Sequence, residues 1–190
     1  MNAPGFSQSS EFPDLKTGIL LMAAERAIGD NDSMNSEITL EETILTREEM
    51  ARLLNEDLAG EYQAVIAYIV YSQVIKGAAY TAIAKELRVH AAEEMEHALK
   101  IAQQVDYFGG MPTVTPKSVK TSNDAKQMLR FDLENERITI ANYRERIKQA
   151  EAMGEFALSE TLREIILQEQ EHEIDLCNAL GINLNDDFLS

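Results

Sequence analysis

Two Glu-x-x-His motifs, 75 residues apart, constrain this chain more than any other feature of its sequence. They are Glu94-x-x-His97 and Glu169-x-x-His172, and each follows another glutamate by 33 residues, Glu61 and Glu136. Adding 75 to positions 61, 94 and 97 gives 136, 169 and 172, so the whole set repeats. Because residues i and i+3 of a helix share one face, each motif can direct a carboxylate and an imidazole to one point.

The local pattern around these residues predicts four helices. Thr46 and Glu49 form a capping box, which is typical of a helix start, and Asp124 is a suitable cap for a later helix. Single glycines, Gly77 and Gly154, interrupt the helical pattern within each half of the repeat. The predicted helices span about 46–76, 78–108, 124–153 and 155–181.

The connections between these helices predict the topology. A break at one glycine indicates a tight turn, so the first and second helices are antiparallel, as are the third and fourth. The connection from Gly109 to Ser122 contains two prolines, and a dozen residues can span roughly 40 Å. We therefore predict an all-α four-helix bundle with a long crossover between the second and third helices.

Glutamates on the apolar face of a bundle require partners. Glu61 follows Leu58 at helical spacing, and Glu136 is spaced in the same way from Leu133 and Ile140. Buried charges cost several kcal/mol each unless they are paired or bound to a metal. Four carboxylates and two imidazoles without thiolates favour iron or manganese, and they are the ligand set of a two-metal centre.

This motif set resembles that of the bacterioferritins, within the ferritin-like superfamily, over about Thr46 to Gly181. The resemblance implies a ferritin-like bundle with ferroxidase activity, in which O₂ or peroxide oxidises Fe(II) and ferric iron is stored as mineral in a hollow shell. It implies two iron ions per chain, or manganese as an alternative. Glu61 and His97 would hold one ion, Glu136 and His172 the other, and Glu94 and Glu169 would bridge them.

The resemblance also assigns roles to residues beside the ligands. Tyr68 stands where ferritin-like proteins keep a tyrosine that orients a ligand carboxylate or donates an electron, which makes it a candidate catalytic residue. Its repeat partner, Tyr143, is interpreted either in this way or as a core tyrosine. Glu93 and Gln168 align with acids that bond the ligand histidines in bacterioferritins. Gln168 departs from that pattern, which would make His97 a less basic ligand.

Two further residues of the second helix have alternative interpretations. Met95 directly follows a predicted bridging glutamate, where bacterioferritins carry the methionine that ligates haem between two subunits. Haem b is therefore a further candidate cofactor, although methionine is also a common residue of helices. His90 shares a stripe with Glu94 and His97, so it is interpreted as a third-metal or access-channel residue, or as a polar residue at the bundle edge.

Composition limits the partners and the location of the protein. A net charge of −16 argues against nucleic acid and anionic membranes, because both require clustered Lys and Arg. The single cysteine, Cys177, excludes an internal disulfide and is expected to be a packed thiol. No apolar run approaches the roughly 20 residues of a membrane span. Because Glu11 and Asp14 precede the short apolar run near residue 20, a secretion signal is disfavoured, and a cytoplasmic location is expected.

The sequence predicts three regions. Residues 1–45 form an N-terminal extension with one short amphipathic stretch, residues 46–181 form the bundle, and residues 182–190 form a tail. Bacterioferritins continue into a fifth helix that lines the pores of a 24-subunit shell, whereas only 18 residues follow His172 here. A homo-oligomer is expected, and a 24-subunit shell, a twelve-subunit shell, a dimer and an assembly enclosed by a partner all stay open.

Two rival functions use the same ligands. The first is a diiron or dimanganese enzyme that reduces peroxide, similar to rubrerythrin or manganese catalase, and tyrosines in both halves favour it. Rubrerythrins usually add a Cys-rich electron-transfer domain, which a chain with one cysteine lacks. The second is a metal-stabilised binding module, which would hold metal but consume no O₂.

Overall fold

The computed structural model describes residues 45–184, and these form four α-helices. A short 3₁₀ turn, Ala78–Tyr80, precedes the second helix. The helices are α1 (Arg47–Val74), α2 (Thr81–Tyr107), α3 (Ala125–Ala152) and α4 (Phe156–Leu180). The prediction of an all-α four-helix bundle is confirmed. Nearly all of the predicted N-terminal extension lies outside the described residues, as do residues 185–190 of the predicted tail.

The helix starts follow from the side chains that cap them. The hydroxyl of Thr46 accepts a hydrogen bond from the Glu49 amide at 3.2 Å, and the Glu49 carboxylate accepts one from the Thr46 amide at 2.8 Å. The Asp124 carboxylate accepts a hydrogen bond from the Gln127 amide at 2.7 Å. Each contact satisfies an amide that has no partner within its own helix, so α1 and α3 begin where the sequence predicts.

Gly154 makes the tight turn between α3 and α4. Its φ of +75° lies in the left-handed region, which residues with a Cβ rarely adopt. The following amide, that of Glu155, donates a hydrogen bond to the Ala150 carbonyl at 2.9 Å and so closes the end of α3. The chain then reverses, and α4 packs antiparallel against α3.

The long crossover runs along α1 for most of its length. The Lys117 amide donates a hydrogen bond to the Ala59 carbonyl at 2.9 Å, and three side chains of α1 bond to the crossover before and after that point. In order along α1 these are Asn55 with Met111, Gln63 with Ser118, and Tyr71 with Lys120. The connection therefore carries the chain from one end of the bundle to the other, so that α3 runs parallel to α1.

Two apolar clusters fill the bundle core, one toward each end. The first contains Met50, Leu54, Leu58, Ile101 and Ile165, among others. The second contains Leu87, Met128, Leu129, Leu176 and Cys177, among others. Cys177 is buried, as predicted for a packed thiol. Between the clusters lies a buried layer of charged and polar side chains.

The outer faces of the helices carry the charged residues. Ion pairs such as Arg52 with Glu56, at 2.5 Å, and Lys100 with Glu164, at 3.2 Å, lie in solvent and contribute about 1 kcal/mol or less each. The stability of the bundle therefore comes mainly from the two apolar clusters. Between residues 45 and 184, no helix combines the length and the apolar character that crossing a membrane requires.

Candidate metal centre

The buried layer between the apolar clusters contains all six residues of the repeated motif set. Each of them is at most 2% exposed. They come from all four helices: Glu61 from α1, Glu94 and His97 from α2, Glu136 from α3, and Glu169 and His172 from α4. The bundle thus brings together every residue that the sequence predicts as a metal ligand.

The two central glutamates each contact both histidines. Nδ1 of His97 lies 3.3 Å from Glu94 and 3.1 Å from Glu169. Nδ1 of His172 lies 3.0 Å from Glu94 and 3.5 Å from Glu169. Glu94 and Glu169 therefore occupy the middle of the site.

The two remaining glutamates lie at opposite sides of this middle pair. Glu61 is 3.6 Å from Nδ1 of His97, and Glu136 is 3.9 Å from Nδ1 of His172. The result is two groups of four residues that share Glu94 and Glu169, and in each group the candidate ligand atoms lie within 4.8 Å of one another. This arrangement can accommodate two metal ions with two carboxylates in common.

Contacts at Nε2 orient both imidazole rings. Nε2 of His97 lies 3.0 Å from Oε1 of Gln168, and Nε2 of His172 lies 3.0 Å from a carboxylate oxygen of Glu93. Both partners accept, so each Nε2 carries a proton and Nδ1 faces the carboxylates. The side chain of Gln168 also donates a hydrogen bond to Glu93 at 3.4 Å. Gln168 is therefore the partner of His97, as the resemblance implied.

Two tyrosines hold the outer glutamates from the opposite half of the bundle. The hydroxyl of Tyr68 on α1 donates a hydrogen bond to Glu136 on α3. The hydroxyl of Tyr143 on α3 donates one to Glu61 on α1. Both tyrosines are buried, so these contacts satisfy hydroxyls that have no access to water.

The pKa values of the outer glutamates, Glu61 and Glu136, shift in the opposite direction from those of the central glutamates, Glu94 and Glu169. Burial, together with the charges of Glu169 and Glu94, raises the pKa of Glu61 and of Glu136 well above the ordinary value. Burial also opposes the ionisation of Glu94, but hydrogen bonds from the two histidines outweigh it and lower its pKa. The central glutamates therefore favour the ionised form, whereas the outer glutamates favour the protonated form.

The histidines take up protons in response. Burial alone would lower the pKa of His172, but its contacts with Glu169 and Glu94 raise that pKa to about 10. The same kinds of contact raise the pKa of His97. Positive charge at Nδ1 of both rings is thus favoured, and a metal cation would supply it at the same place while displacing a proton.

The comparisons with known proteins identify the family. A family model of the ferritin-like domain matches residues 51–184. The chain belongs to the ferritin-like family. The superfamily and the ferritin-like fold that the motifs predicted are therefore confirmed.

Individual members of the family are similar over most of their own length. A bacterioferritin of Brucella melitensis biotype 1 is 27% identical over 135 residues, which cover 67% of this chain and 84% of the relative. A ferritin-like, diiron-carboxylate protein from Bacillus anthracis superposes with a TM-score of 0.68 at 32% identity, over 70% of this chain and 96% of its own. A dodecameric, bacterioferritin-related thioferritin from Bacteroides fragilis gives 0.67 at 27% identity, over 73% and 88%.

A small cavity of about 90 Å³ reaches the carboxylates of this ferritin-like chain from the side of α1 and α3. Four of its lining residues are the glutamates of the buried layer, and Gly60 and Lys117 also line it. A Cβ on Gly60 would lie 3.3 Å from the Lys117 ammonium, so this cation stands close to α1 beside the cavity. Lys117 could not be identified from a sequence pattern, because its position depends on the path of the crossover.

Sequence reasoning missed a pair of buried aspartates that obey the same 75-residue repeat. Asp57 and Asp132 lie one helical turn before Glu61 and Glu136. The Asp57 carboxylate accepts hydrogen bonds from the Arg146 guanidinium at 2.8 and 3.3 Å. Among the described residues, one oxygen of Asp132 has no hydrogen-bond partner, although the residue is buried. The repeat offset alone would have found both positions.

His90 and Met95, the two residues of α2 with alternative interpretations, occupy different environments. His90 is buried beside the centre, with its ring centroid 4.1 Å from that of His172 and its Nε2 3.4 Å from Asp175. Burial and the neighbouring His172 lower the pKa of His90 to about 4, so the ring is neutral near pH 7. Met95 is 46% exposed on α2, outside the buried layer, and its role as a haem ligand stays a prediction.

Proposed function

We propose that this ferritin-like protein binds two iron ions per chain and oxidises Fe(II) to Fe(III) with O₂ or peroxide. The observation that carries the proposal is the shared position of Glu94 and Glu169, each within 3.5 Å of both histidines. Glu61 and His97 hold one ion, and Glu136 and His172 hold the other. Glu94 and Glu169 bridge the two, and manganese fits the same donor set.

Charge balance supports this assignment. Four carboxylates in one buried layer carry four negative charges when ionised, which equals the charge of two divalent ions. The raised pKa values of Glu61 and Glu136 reflect burial and the nearby carboxylates, so cations entering the layer would favour loss of these protons. Binding is then coupled to proton release from the histidines as well as from the glutamates.

The tyrosines act on the outer ligands of the proposed centre. Tyr68 and Tyr143 each donate a hydrogen bond to one oxygen of an outer glutamate and leave the other oxygen for a metal. Oxidation of two Fe(II) ions releases two electrons, which reduce O₂ to hydrogen peroxide with the uptake of two protons. Tyr68 is proposed to act by fixing Glu136, or by supplying an electron from its phenol.

The proposal is tested by mixing the protein with excess Fe(II) in air and following the formation of ferric iron. The wild-type protein should oxidise Fe(II) rapidly, whereas Glu94→Ala and Glu169→Ala should each oxidise it no faster than a solution without protein. The matched control is Glu96→Ala, which changes an exposed glutamate of the same helix. Near-normal rates in both ligand variants would refute the assignment.

A second candidate function is the reduction of peroxide at a diiron or dimanganese centre. It is favoured by the pairing of a tyrosine with an outer glutamate in both halves of the bundle, because each phenol is placed to supply an electron. After aerobic iron loading, a sizing column and an iron assay separate the two functions. Hundreds of irons that elute with a large assembly indicate mineral storage, whereas a plateau near two irons per chain indicates a dinuclear redox enzyme.

We further propose that the protein is a homo-oligomer located in the cytoplasm. Six large apolar side chains of α1 and α2 are 39–58% exposed and could be covered by another subunit: Ile66, Ile69, Val74, Val89, Met95 and Leu99. The relative from Bacteroides fragilis is dodecameric, which supports a shell of this size. Light scattering on the full chain measures the mass of the assembly directly. A monomeric mass would exclude storage within a shell.

A further inference from the structure

A further group of candidate metal ligands lies beside the proposed dinuclear centre. It consists of Glu86 and His90, which are four residues apart on α2, and Asp175, which follows His172 by three residues on α4. Their ligand atoms lie within 4.8 Å of one another. Donor atoms that share one ion at about 2.1 Å lie at most about 4.2 Å apart, so small side-chain movements would close the group around a cation.

The environment of His90 points to a ligand that the protein residues do not supply. The side chain is 2% exposed. Its Nδ1 has no hydrogen-bond partner among residues 45–184, and its Nε2 makes only the 3.4 Å contact with Asp175. A buried polar group that lacks a good partner is costly, so His90 needs an explanation that packing does not provide.

The two carboxylates of this group are accessible from solvent. A surface cavity of about 330 Å³ is lined by Glu86, Asp175 and Asn178. A cation entering this cavity meets two carboxylates before it reaches the buried imidazole of His90. The donor set of one imidazole and two carboxylates suits divalent ions of the first transition row.

A second group of candidate ligands lies between this group and the dinuclear centre. His90, Glu93 and His172 form another set whose candidate ligand atoms lie within 4.8 Å of one another. His172 is itself one of the residues proposed to hold iron, and its ring lies 4.1 Å from that of His90, centroid to centroid. A cation could therefore move from Glu86 and Asp175 to His172 without leaving protein donors.

The cavity on the opposite side of the centre combines carboxylates with a cation. It lies between α1 and α3, is lined by the four glutamates of the buried layer, and has the Lys117 ammonium beside it, which offsets part of their negative charge. The approach between α2 and α4 has three carboxylates, those of Glu86, Glu93 and Asp175. The two sides of the bundle thus both carry carboxylates, and the lining of the cavity at Glu86 and Asp175 contains no lysine or arginine.

We propose that Glu86, His90 and Asp175 bind one divalent transition-metal ion, as a third site that passes ions to the His172 side of the dinuclear centre. The binding of this ion stands on the three side chains alone. Its role as a donor of ions to the centre rests on the function proposed above.

The experiment is equilibrium dialysis of the full chain against Co²⁺ without oxygen, with cobalt counted per chain. The wild-type protein should bind three ions, and the variant Glu86→Gln/Asp175→Asn should bind two. The matched control, Glu96→Gln/Glu160→Gln, removes the same charge from exposed positions of the same two helices and should bind three. Two ions in the wild-type protein, or three in the Glu86/Asp175 variant, would overturn the proposal.

A further variant distinguishes failure of the third site from failure of the proposed dinuclear centre. The variant Glu94→Gln/Glu169→Gln changes the bridging carboxylates and leaves Glu86, His90 and Asp175 intact. One ion in this variant supports an independent third site, and none would overturn it. Three ions would show that the proposed dinuclear assignment is wrong, while the Glu86/Asp175 variant still decides the third site.

Discussion

The hydroxyl of Tyr68 donates a hydrogen bond to Glu136, a residue of the other half of the repeat. The reciprocal contact joins Tyr143 to Glu61. Each half of the bundle therefore orients the outer glutamate of the opposite half, and the two halves form one site. A carboxylate with one oxygen fixed by a phenol presents its other oxygen in a defined direction.

Replacing Tyr68 by phenylalanine should slow Fe(II) oxidation by about 10-fold, the usual effect of losing a group that orients a metal ligand. The ring stays in the core, so the thermal unfolding temperature should change little. Stopped-flow absorbance measures the rate. The control is Tyr107→Phe, at a 60% exposed residue, which should react like the wild-type protein. An unchanged rate in Tyr68→Phe would mean that Glu136 is held adequately without the phenol.

Replacing Glu93 by glutamine should weaken metal binding on the His172 side of the centre. Glu93 accepts a hydrogen bond from Nε2 of His172 at 3.0 Å, and a carboxylate there makes the imidazole a better ligand than an amide does. We expect about 10-fold weaker binding of one of the two ions, measured by anaerobic titration calorimetry. Glu171→Gln, at an exposed position of α4, is the control. Equal affinities in Glu93→Gln and the control would contradict the assignment.

The two aspartates of the repeat should respond to amidation with opposite signs. Asp57→Asn leaves the buried Arg146 without its counter-charge, so the free energy of unfolding should fall by about 3 kcal/mol. Asp132 has an oxygen without a partner among the described residues, so Asp132→Asn should raise that free energy by about 1 kcal/mol at pH 8. Urea unfolding of the metal-free proteins measures both. Destabilisation by both variants would contradict this interpretation of Asp132.

The stabilisation by Asp132→Asn should depend on pH. Burial and the charge of Glu94 raise the pKa of Asp132 well above its usual value, so the folded state binds this proton more tightly than the unfolded state does. As the pH rises above the unfolded pKa of 3.8, the wild-type protein loses stability that the variant keeps. The difference between the two should therefore be small near pH 4 and largest above the raised pKa.

Met95 should affect the protein only if haem is bound. The side chain is 46% exposed, so a haem ligated here would lie outside the bundle, against another subunit. We expect that Met95→Leu removes any Soret band of the purified protein and leaves its Fe(II) oxidation intact. A purified wild-type protein without a Soret band would exclude the haem prediction.

The ligand positions could be predicted because helical periodicity and loop length fix them. Glu94 and His97 are three residues apart on one helix, so their common face follows from the sequence. The single glycines at 77 and 154 force antiparallel pairs, which bring α1 to α2 and α3 to α4. The offset of 75 residues then places both halves at the same height in the bundle.

Contacts between the halves could not be predicted in the same way. Tyr68 was recognised by its position after Glu61, but its partner is Glu136, which only the packing of α1 on α3 brings near. The cation at the cavity, Lys117, depends on where the crossover lies along α1. The position that corresponds to Arg146 in the first half of the repeat is Tyr71. The repeat therefore does not predict the pairing of Arg146 with Asp57.

Diffraction at the iron absorption edge, from crystals soaked with Fe(II) without oxygen, shows whether the six residues hold two ions. Two anomalous peaks should appear, roughly 3.5–4 Å apart. One should lie within bonding distance of Glu61 and His97, the other within bonding distance of Glu136 and His172, and both should contact Glu94 and Glu169. A single peak in the layer, or iron only outside it, would contradict the account.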